Sequence, residues 1–417
     1  MSDNNFSHPN KNKPRFFYGY IIVIAAFIIM LVGYGLYNSF GIFLTPLINE
    51  FGWTRATTSG AFSLSMILCG VLGIVVGGLT DKFGSRIVMT ACGCFLALGF
   101  LLMSQISAAW QLYLFYGIII GIGISGVWVP LLSTVARWFD KKRSLMTGIV
   151  LSGMGLGTLI SPLVVSRLIS TYDWRMASMI LGIVLLVIIV LASQFLRHAP
   201  SQKGQTPYSE NEAVEQEPPL ETKAFSLREA SHVRQFWMVF GILFCWGFCA
   251  FSVVVHIVPY TIELGIPAVN AANILATIGG ISVIGNYVLG HLGDRIGNRR
   301  IFIIGFIIWT AILLWLVPSK QLWMLYIFAI IFGFADGGLA ASESPIIAWL
   351  FGLRSHGLIF GVLGLGFTIG GAVGPIVTGQ IFDLTGGYQV AFLVCAAFSI
   401  FGLIISSILK PIKANRD

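Results

Sequence analysis

From residue 17 onward the chain is a succession of long apolar runs separated by short polar breaks. A helix needs about 20 mostly apolar residues to cross a bilayer, and more where it tilts. On that basis the runs predict twelve membrane helices, near 17–44, 57–78, 87–104, 110–136, 144–168, 175–196, 235–258, 270–291, 300–317, 322–350, 356–382 and 388–409. One stretch, 198–232, reads as a linker because it is rich in Pro, Glu, Gln and Ser and cannot bury a core. Within it, Ser226-Leu227-Arg228-Glu229 has the spacing of a capping box. The expected organisation is a tail at 1–15, a six-helix bundle over 16–197, a linker at 198–233, a second six-helix bundle over 234–410 and a tail at 411–417. The polar residues 1–15 lead into an apolar run too long for a signal peptide, so no cleavable signal is expected.

The polar breaks are not all alike. Gly77-Gly78-Leu79-Thr80-Asp81-Lys82-Phe83-Gly84-Ser85-Arg86 returns as Gly290-His291-Leu292-Gly293-Asp294-Arg295-Ile296-Gly297-Asn298-Arg299-Arg300, a shift of 213 residues. In the same register Pro46, Glu50 and Gly52 match Pro259, Glu263 and Gly265, and Gly148, Gly153, Gly157 and Pro162 match Gly361, Gly366, Gly370 and Pro375. Each copy of the motif reads as a tight charged hairpin between two helices: Gly84 and Gly297 permit the turn, and Asp81 and Asp294 are placed to accept hydrogen bonds from neighbouring helix N-termini. Lys82, Arg86, Arg295 and Arg299 belong in the headgroup layer. The pattern resembles the signature loop of the major facilitator superfamily. That resemblance implies an all-α polytopic membrane protein of twelve transmembrane helices in two pseudo-symmetric six-helix bundles, related by an axis along the membrane normal.

Composition agrees, with 56% hydrophobic and 10% charged residues. The net charge of +8 would suggest nucleic acid in a soluble chain, but its distribution excludes that reading. With a cytoplasmic N-terminus and twelve crossings, all of the 25 Lys and Arg except Arg55, Arg167, Arg175 and Lys320 fall on the inner side, as the positive-inside rule requires. The expected location is therefore a plasma membrane, read as a bacterial inner membrane, with both termini cytoplasmic. The six cysteines lie inside apolar runs and read as core residues, Cys245 and Cys249 included, so no metal and no cofactor are expected. No phosphate-binding loop, nucleophile elbow or zinc-protease helix is present, and the chain is not expected to be an enzyme.

Arg137-Trp138-Phe139-Asp140-Lys141-Lys142-Arg143-Ser144-Leu145-Met146-Thr147-Gly148, followed by Ser152-Gly153-Met154-Gly155-Leu156-Gly157, resembles the conserved block of monocarboxylate porters and of the related oxalate/formate exchangers. The chain departs from that family twice. Its lysine late in the first helix is Asn38 here, and its Asp and Arg in the eighth helix are Ser282 and Asn286, so the usual cation for a carboxylate is missing at both places.

Ionisable residues inside spans are functional candidates. His256 stands near the outer end of helix seven, Asp336 near the middle of helix ten, and Glu343 two turns further on the same face. In the superfamily, helices one, four, seven and ten line the central cavity. His256 is either a substrate ligand or a group bonded to a headgroup or a carbonyl. Asp336 is either the proton relay or the cap of a local irregularity. Glu343 is a second coupling acid or a hydrated residue at the inner mouth. Neutral hydrogen bonds to substrate are expected from Tyr34, Tyr37, Asn38, Tyr116, Asn286 and Tyr287, and gating from Asp81, Arg86, Asp294 and Arg299. The function expected is secondary active transport of a small organic anion, of the monocarboxylate kind, by proton symport or anion exchange. The partners are that anion, protons and membrane lipid, and the chain is expected to be a monomer. The alternatives are proton-coupled efflux of a larger apolar or cationic compound and, in another class, a transporter-like membrane sensor.

The charge count generates a first prediction. A cysteine replacing Ser209 should react with an impermeant thiol reagent from the cytoplasmic side alone, and labelling of intact cells from outside would reverse the orientation.

Overall fold

The structure, a computed structural model, describes residues 17–53, 55–206 and 225–412. The tails at 1–15 and 413–417, most of the proposed linker and Ser209 lie outside the described residues.

All regular structure among the described residues is helical. Twelve spans follow one another: span 1 Gly19–Phe51, span 2 Gly60–Phe83, span 3 Ser85–Met103, span 4 Ala109–Trp138, span 5 Arg143–Thr171 and span 6 Trp174–Phe195. After the linker come span 7 Arg234–Glu263, span 8 Asn273–Ile296, span 9 Asn298–Leu316, span 10 Leu322–Phe351, span 11 His356–Phe382 and span 12 Gln389–Ile408. The apolar runs located all twelve, and two local features differ from expectation. Span 1 continues past residue 44 to Phe51, interrupted at Ser39, whose hydroxyl donates to the Gly35 carbonyl at 2.7 Å. The charged hairpins are also shorter than expected. Thr80 to Phe83 form the last turn of span 2 and Gly84 alone, at φ 84°, reverses the chain; Gly297, at φ 93°, does the same between spans 8 and 9. A side chain at such a φ is strained, so one glycine suffices where a longer loop would otherwise be needed.

The two halves repeat each other's packing. Span 1 lies on span 5 as span 7 lies on span 11, span 2 on span 4 as span 8 on span 10, and span 3 on span 6 as span 9 on span 12. The halves meet where span 2 crosses span 11 and span 5 crosses span 8. The repeated glycines are these crossings. A Cβ at Gly153 or Gly157 would strike the carbonyls of Phe27 or Leu31 of span 1, and one at Gly366 or Gly370 those of Phe240 or Phe244 of span 7. Gly148 meets the Asn286 carbonyl across the halves, and Gly361 meets Gly73 and Ile74. In a bilayer, lipid is as apolar as a side chain, so backbone approach between small residues supplies much of the attraction between helices.

The linker's two ends are each fastened to their own half. The Tyr18 N–H donates to Gln205 Oε1 at 3.1 Å and Trp138 Nε1 donates to the Arg197 carbonyl at 2.8 Å, while the Phe225 N–H donates to the Phe351 carbonyl at 3.1 Å. The capping box forms: Ser226 Oγ accepts from the Glu229 N–H at 3.3 Å, and Glu229 Oε2 accepts from the Ser226 N–H at 2.7 Å. The described ends of the chain and of the linker therefore share one end of the bundle, called the linker end below.

Gly157→Leu and Gly370→Leu should each destabilise the fold by roughly 1–3 kcal/mol or more by forcing backbones apart. Gly364→Ala, whose Cβ would meet nothing within 4 Å, should not. Thermal unfolding of the three variants in one detergent reads this directly, and equal melting temperatures would mean the crossings tolerate side chains.

Candidate functional site

At the linker end the aspartates of the two motif copies reach across to the opposite half. Asp81 of span 2 accepts from the N–H groups of Gly357 at 3.1 Å and Leu358 at 3.0 Å, in the first turn of span 11. Asp294 of span 8 accepts from those of Ser144 at 2.7 Å and Leu145 at 2.9 Å, in the first turn of span 5. First-turn N–H groups have no intrahelical acceptor and carry the positive end of the helix dipole, so a carboxylate completes them. Arg86 and Arg299 do something else. Arg86 binds Gln194 Oε1 of span 6 through Nε at 2.8 Å and Nη2 at 2.5 Å, and Arg299 binds the Ser406 carbonyl at 3.1 Å together with that of Ser407, at the end of span 12. Each arginine clips a span of its own half and stays out of the crossing, so the grouping of these four residues as gates divides into two pairs.

Asp81 is further held by Arg137 Nη2 at 2.7 Å. Beside that pair His198 packs against the Gly84 turn, and burial first, then the Arg137 charge, push its imidazole down to about 4, so it is neutral at ordinary pH. His356 is fully buried and its Nε2 lies 3.2 Å from the Ser344 carbonyl. These contacts, with the crossings at Gly148 and Gly361, close the bundle at the linker end.

Further in, two acids on span 10 each face an indole. Trp246 Nε1 of span 7 donates to Asp336 Oδ1 at 2.9 Å, and its ring lies 4.4 Å from Phe367 of span 11. Glu343 is 2% exposed and lies within interaction range of the indole of Trp128, which belongs to span 4 in the other half. Tyr34 packs its ring on Trp128 at 5.9 Å and lies within electrostatic reach of the Cys69 thiol and of Glu343. Tyr34, Cys69, Trp128 and Glu343 thus meet at the seam, where spans 1, 2 and 4 of one half face span 10 of the other, and this cluster is called the floor below. Glu343 is enclosed in the seam, not hydrated at a mouth. On the far side of Tyr34, Asn38 stays exposed and donates to Thr158 Oγ1 of span 5 at 3.1 Å.

Other residues expected to meet substrate are engaged elsewhere. Tyr37 and Tyr116 are packing residues of the N-terminal half: Tyr37 Oη lies 2.9 Å from Ser65 Oγ, Tyr116 Oη donates to the Tyr37 carbonyl at 2.8 Å, the Tyr37 ring stacks on Phe62 and on Tyr116, and the Tyr116 ring packs tilted against Phe40. Tyr287, at 56% exposure, shares an outer apolar stripe with Ile284 and Val288. His256 is bonded at both nitrogens inside its own half, Nδ1 to Tyr388 Oη at 3.2 Å and Nε2 to the Pro375 carbonyl at 3.0 Å. Asn286 is buried at the crossing of spans 5 and 8. Reading residues singly missed Trp128, Trp246, Arg137 and His356. The signal was available for the two tryptophans, which sit in mid-span and not in the interfacial belts where the residue is normally placed.

The gate geometry generates a prediction. Asp81→Asn and Asp294→Asn should slow any transport about tenfold or more while leaving ligand binding near wild type, because both side chains lie at the helix ends and neither lines the floor. Measured side by side, an equal loss of binding affinity in both variants would place them in the ligand site.

The chain matches the family model described as Major Facilitator Superfamily over residues 23–292 and 270–416. It is 26% identical over 422 residues to Monocarboxylate transporter 12 of Mus musculus, covering 95% of this chain and 86% of that protein. Identity is also 26% to Monocarboxylate transporter 13 of Rattus norvegicus, over 92% and 87% of the two chains, and to the MFS transporter asaE of Aspergillus flavus, over 88% and 81%. Among solved structures, FucP in the outward conformation aligns with a TM-score of 0.72 at 18% identity, and the human organic anion transporter MFSD10 with 0.71 at 15%, each over 94% of this chain and 100% of the other. A membrane protein with this fold and these relatives is a transporter and not an enzyme, and the chain belongs to the Major Facilitator Superfamily.

Proposed function

We propose that the chain is a secondary active transporter that carries a small organic acid, of the monocarboxylate kind, together with a proton by alternating access. The bundle is closed at the linker end, taken as the cytoplasmic side of a plasma membrane because the basic residues gather there. The relatives named monocarboxylate transporters match almost end to end and support the substrate class. The observation that carries the coupling is Asp336, an acid inside span 10 that is hydrogen-bonded to the neutral Trp246 indole and has no ion-pair partner among the described residues. A buried acid without a counter-charge is best accommodated neutral, and a bound carboxylate in a site without lysine or arginine needs the same relief. One proton carried on Asp336, or on the substrate itself, satisfies both.

The acids and indoles also favour a second reading, export of a larger apolar or cationic compound, since a cation would find the Trp246 and Trp128 rings and two carboxyl groups on one helix. Inhibition by short carboxylates against inhibition by lipophilic cations separates the two.

Asp336→Asn mimics the neutral acid. It should abolish uphill accumulation driven by a pH gradient in proteoliposomes while keeping ligand binding within a few-fold of wild type. If the variant still accumulates substrate against its gradient as wild type does, the coupling proton is carried elsewhere.

A further inference from the structure

Glu343 differs from Asp336 in where its partner comes from. Asp336 is bonded to span 7, inside its own half, so it moves with that half. The indole that faces Glu343 belongs to span 4 of the other half. The next residue, Ser344, donates to the Leu132 carbonyl of span 4 at 3.3 Å, and the Ser344 carbonyl lies 3.2 Å from His356 Nε2. His356 directly precedes Gly357, whose N–H, with that of Leu358, is held by Asp81. The contacts therefore run without a gap from the floor of the site to the gate at the linker end.

The groups around Glu343 are few. Tyr34 faces it from span 1, with Cys69 of span 2 behind, and Trp128 faces it from span 4. Asp336 stands two turns away on its own helix, and His356 of span 11 reaches the neighbouring carbonyl. No lysine or arginine is bonded to Glu343 among the described residues. Asp81, by contrast, has an arginine and two backbone N–H groups. A carboxylate at 2% exposure with one neutral donor is expensive to keep ionised, whereas a neutral carboxyl in the same place is not. Parting the halves at the linker end removes the Trp128 and Leu132 contacts and admits water, and the penalty on the charge disappears.

We propose that Glu343 is the proton-sensing latch of the gate: the halves close at the linker end with Glu343 uncharged, and its ionisation drives that end open. The closed state then holds one proton more than the open state, so closure strengthens as pH falls and weakens as pH rises. The inference rests on the alternating-access reading above and separates the two acids of span 10, with Asp336 carrying the transported proton and Glu343 timing the gate.

The gate reports on itself through four amides, those of Ser144, Leu145, Gly357 and Leu358, whose N–H groups the two aspartates hold. Hydrogen exchange of peptides containing them is compared between wild type and Glu343→Gln, as full chains in lipid nanodiscs, from mildly acidic to mildly alkaline pD. At each pD the intrinsic exchange rate cancels between the two proteins. At alkaline pD the wild-type gate amides should exchange about tenfold faster than those of the variant, the factor for one unit of difference in proton affinity between the two states, and at acidic pD the two should coincide. Span 3 (Ser85–Met103) should be equally protected in both, as a check on folding. Equal or faster gate exchange in Glu343→Gln at alkaline pD, with span 3 intact, overturns the latch. Should that variant fail to fold, the wild-type profile decides alone: gate protection that does not fall relative to span 3 as pD rises also overturns it. Asp336→Asn should keep the wild-type gate profile, so uptake that survives in that variant refutes the coupling reading and leaves the latch result standing.

Discussion

A carboxylate of one half seated on the free first-turn N–H groups of the other is the contact on which the closed end depends. It forms twice, at Asp81 and Asp294, and each time it satisfies donors that no residue of their own helix can satisfy. Sidedness follows from this. The aspartates stand at the last turns of spans 2 and 8, so the lock acts at the linker end only, and the rest of the interface between the halves can separate without breaking it. Around the lock the backbones must approach closely, and the glycines at 77, 148, 290, 357 and 361 lie at the crossings where a Cβ would meet a neighbour.

The site behind the lock is governed by a scarcity. Two acids, several aromatic rings and no paired cation occupy the described part of spans 1, 2, 4, 7 and 10 around the floor. In such surroundings charge is admitted only when something neutralises it, so protonation, ligand binding and hydration become parts of one equilibrium. Indole donors suit the role because Trp N–H satisfies an oxygen in either protonation state without adding charge. The π-helical stretch Tyr113–Ile120 in span 4, upstream of Trp128, adds an irregularity to the helix that carries the donor across to Glu343.

Much of this was legible beforehand, for identifiable reasons. Span positions follow from solvent alone, and the duplication could be read because close backbone crossings tolerate only small residues, leaving glycines such as Gly153 and Gly366 in one register. The bonds of Asp81 and Asp294 to helix N-termini were readable because an acid beside a helix hand-over has few other ways to be satisfied. Which way a tyrosine faces was not readable. Tyr34, Tyr37 and Tyr116 are equally plausible as cavity residues until the rotation of each helix is known, and that rotation is set by partners far away in sequence, such as Ser65 for Tyr37. His256 misled for a related reason: its partners, Tyr388 and Pro375, are more than a hundred residues distant. The Trp246–Asp336 and Trp128–Glu343 contacts are long-range too, though tryptophan in mid-span was a visible anomaly.

The two copies of the lock are not equivalent, and the difference decides which of them is connected to the floor. A shift of 213 residues carries Arg137 onto Leu350 and Arg143 onto His356. The Asp81 lock therefore contains a guanidinium at 2.7 Å and a buried imidazole beside it. The Asp294 lock has no counterpart of Arg137; Arg143 there reaches the Ala136 and Phe139 carbonyls and Asp140, and Ser144 donates to Asn298 Oδ1 at 2.5 Å. Arg137 and Asp81 belong to spans 4 and 2 of one half, so their pair steadies the carboxylate without itself crossing the seam, whereas the Ser144–Asn298 bond does cross it. Asp81 is thus a carboxylate shared between a cation of its own half and a helix N-terminus of the other, while Asp294 has a further crossing bond beside it. Of the two locks, the one at Asp81 is joined through His356 and Ser344 to the floor at Glu343, so a change at that acid reaches the linker end on this side of the seam.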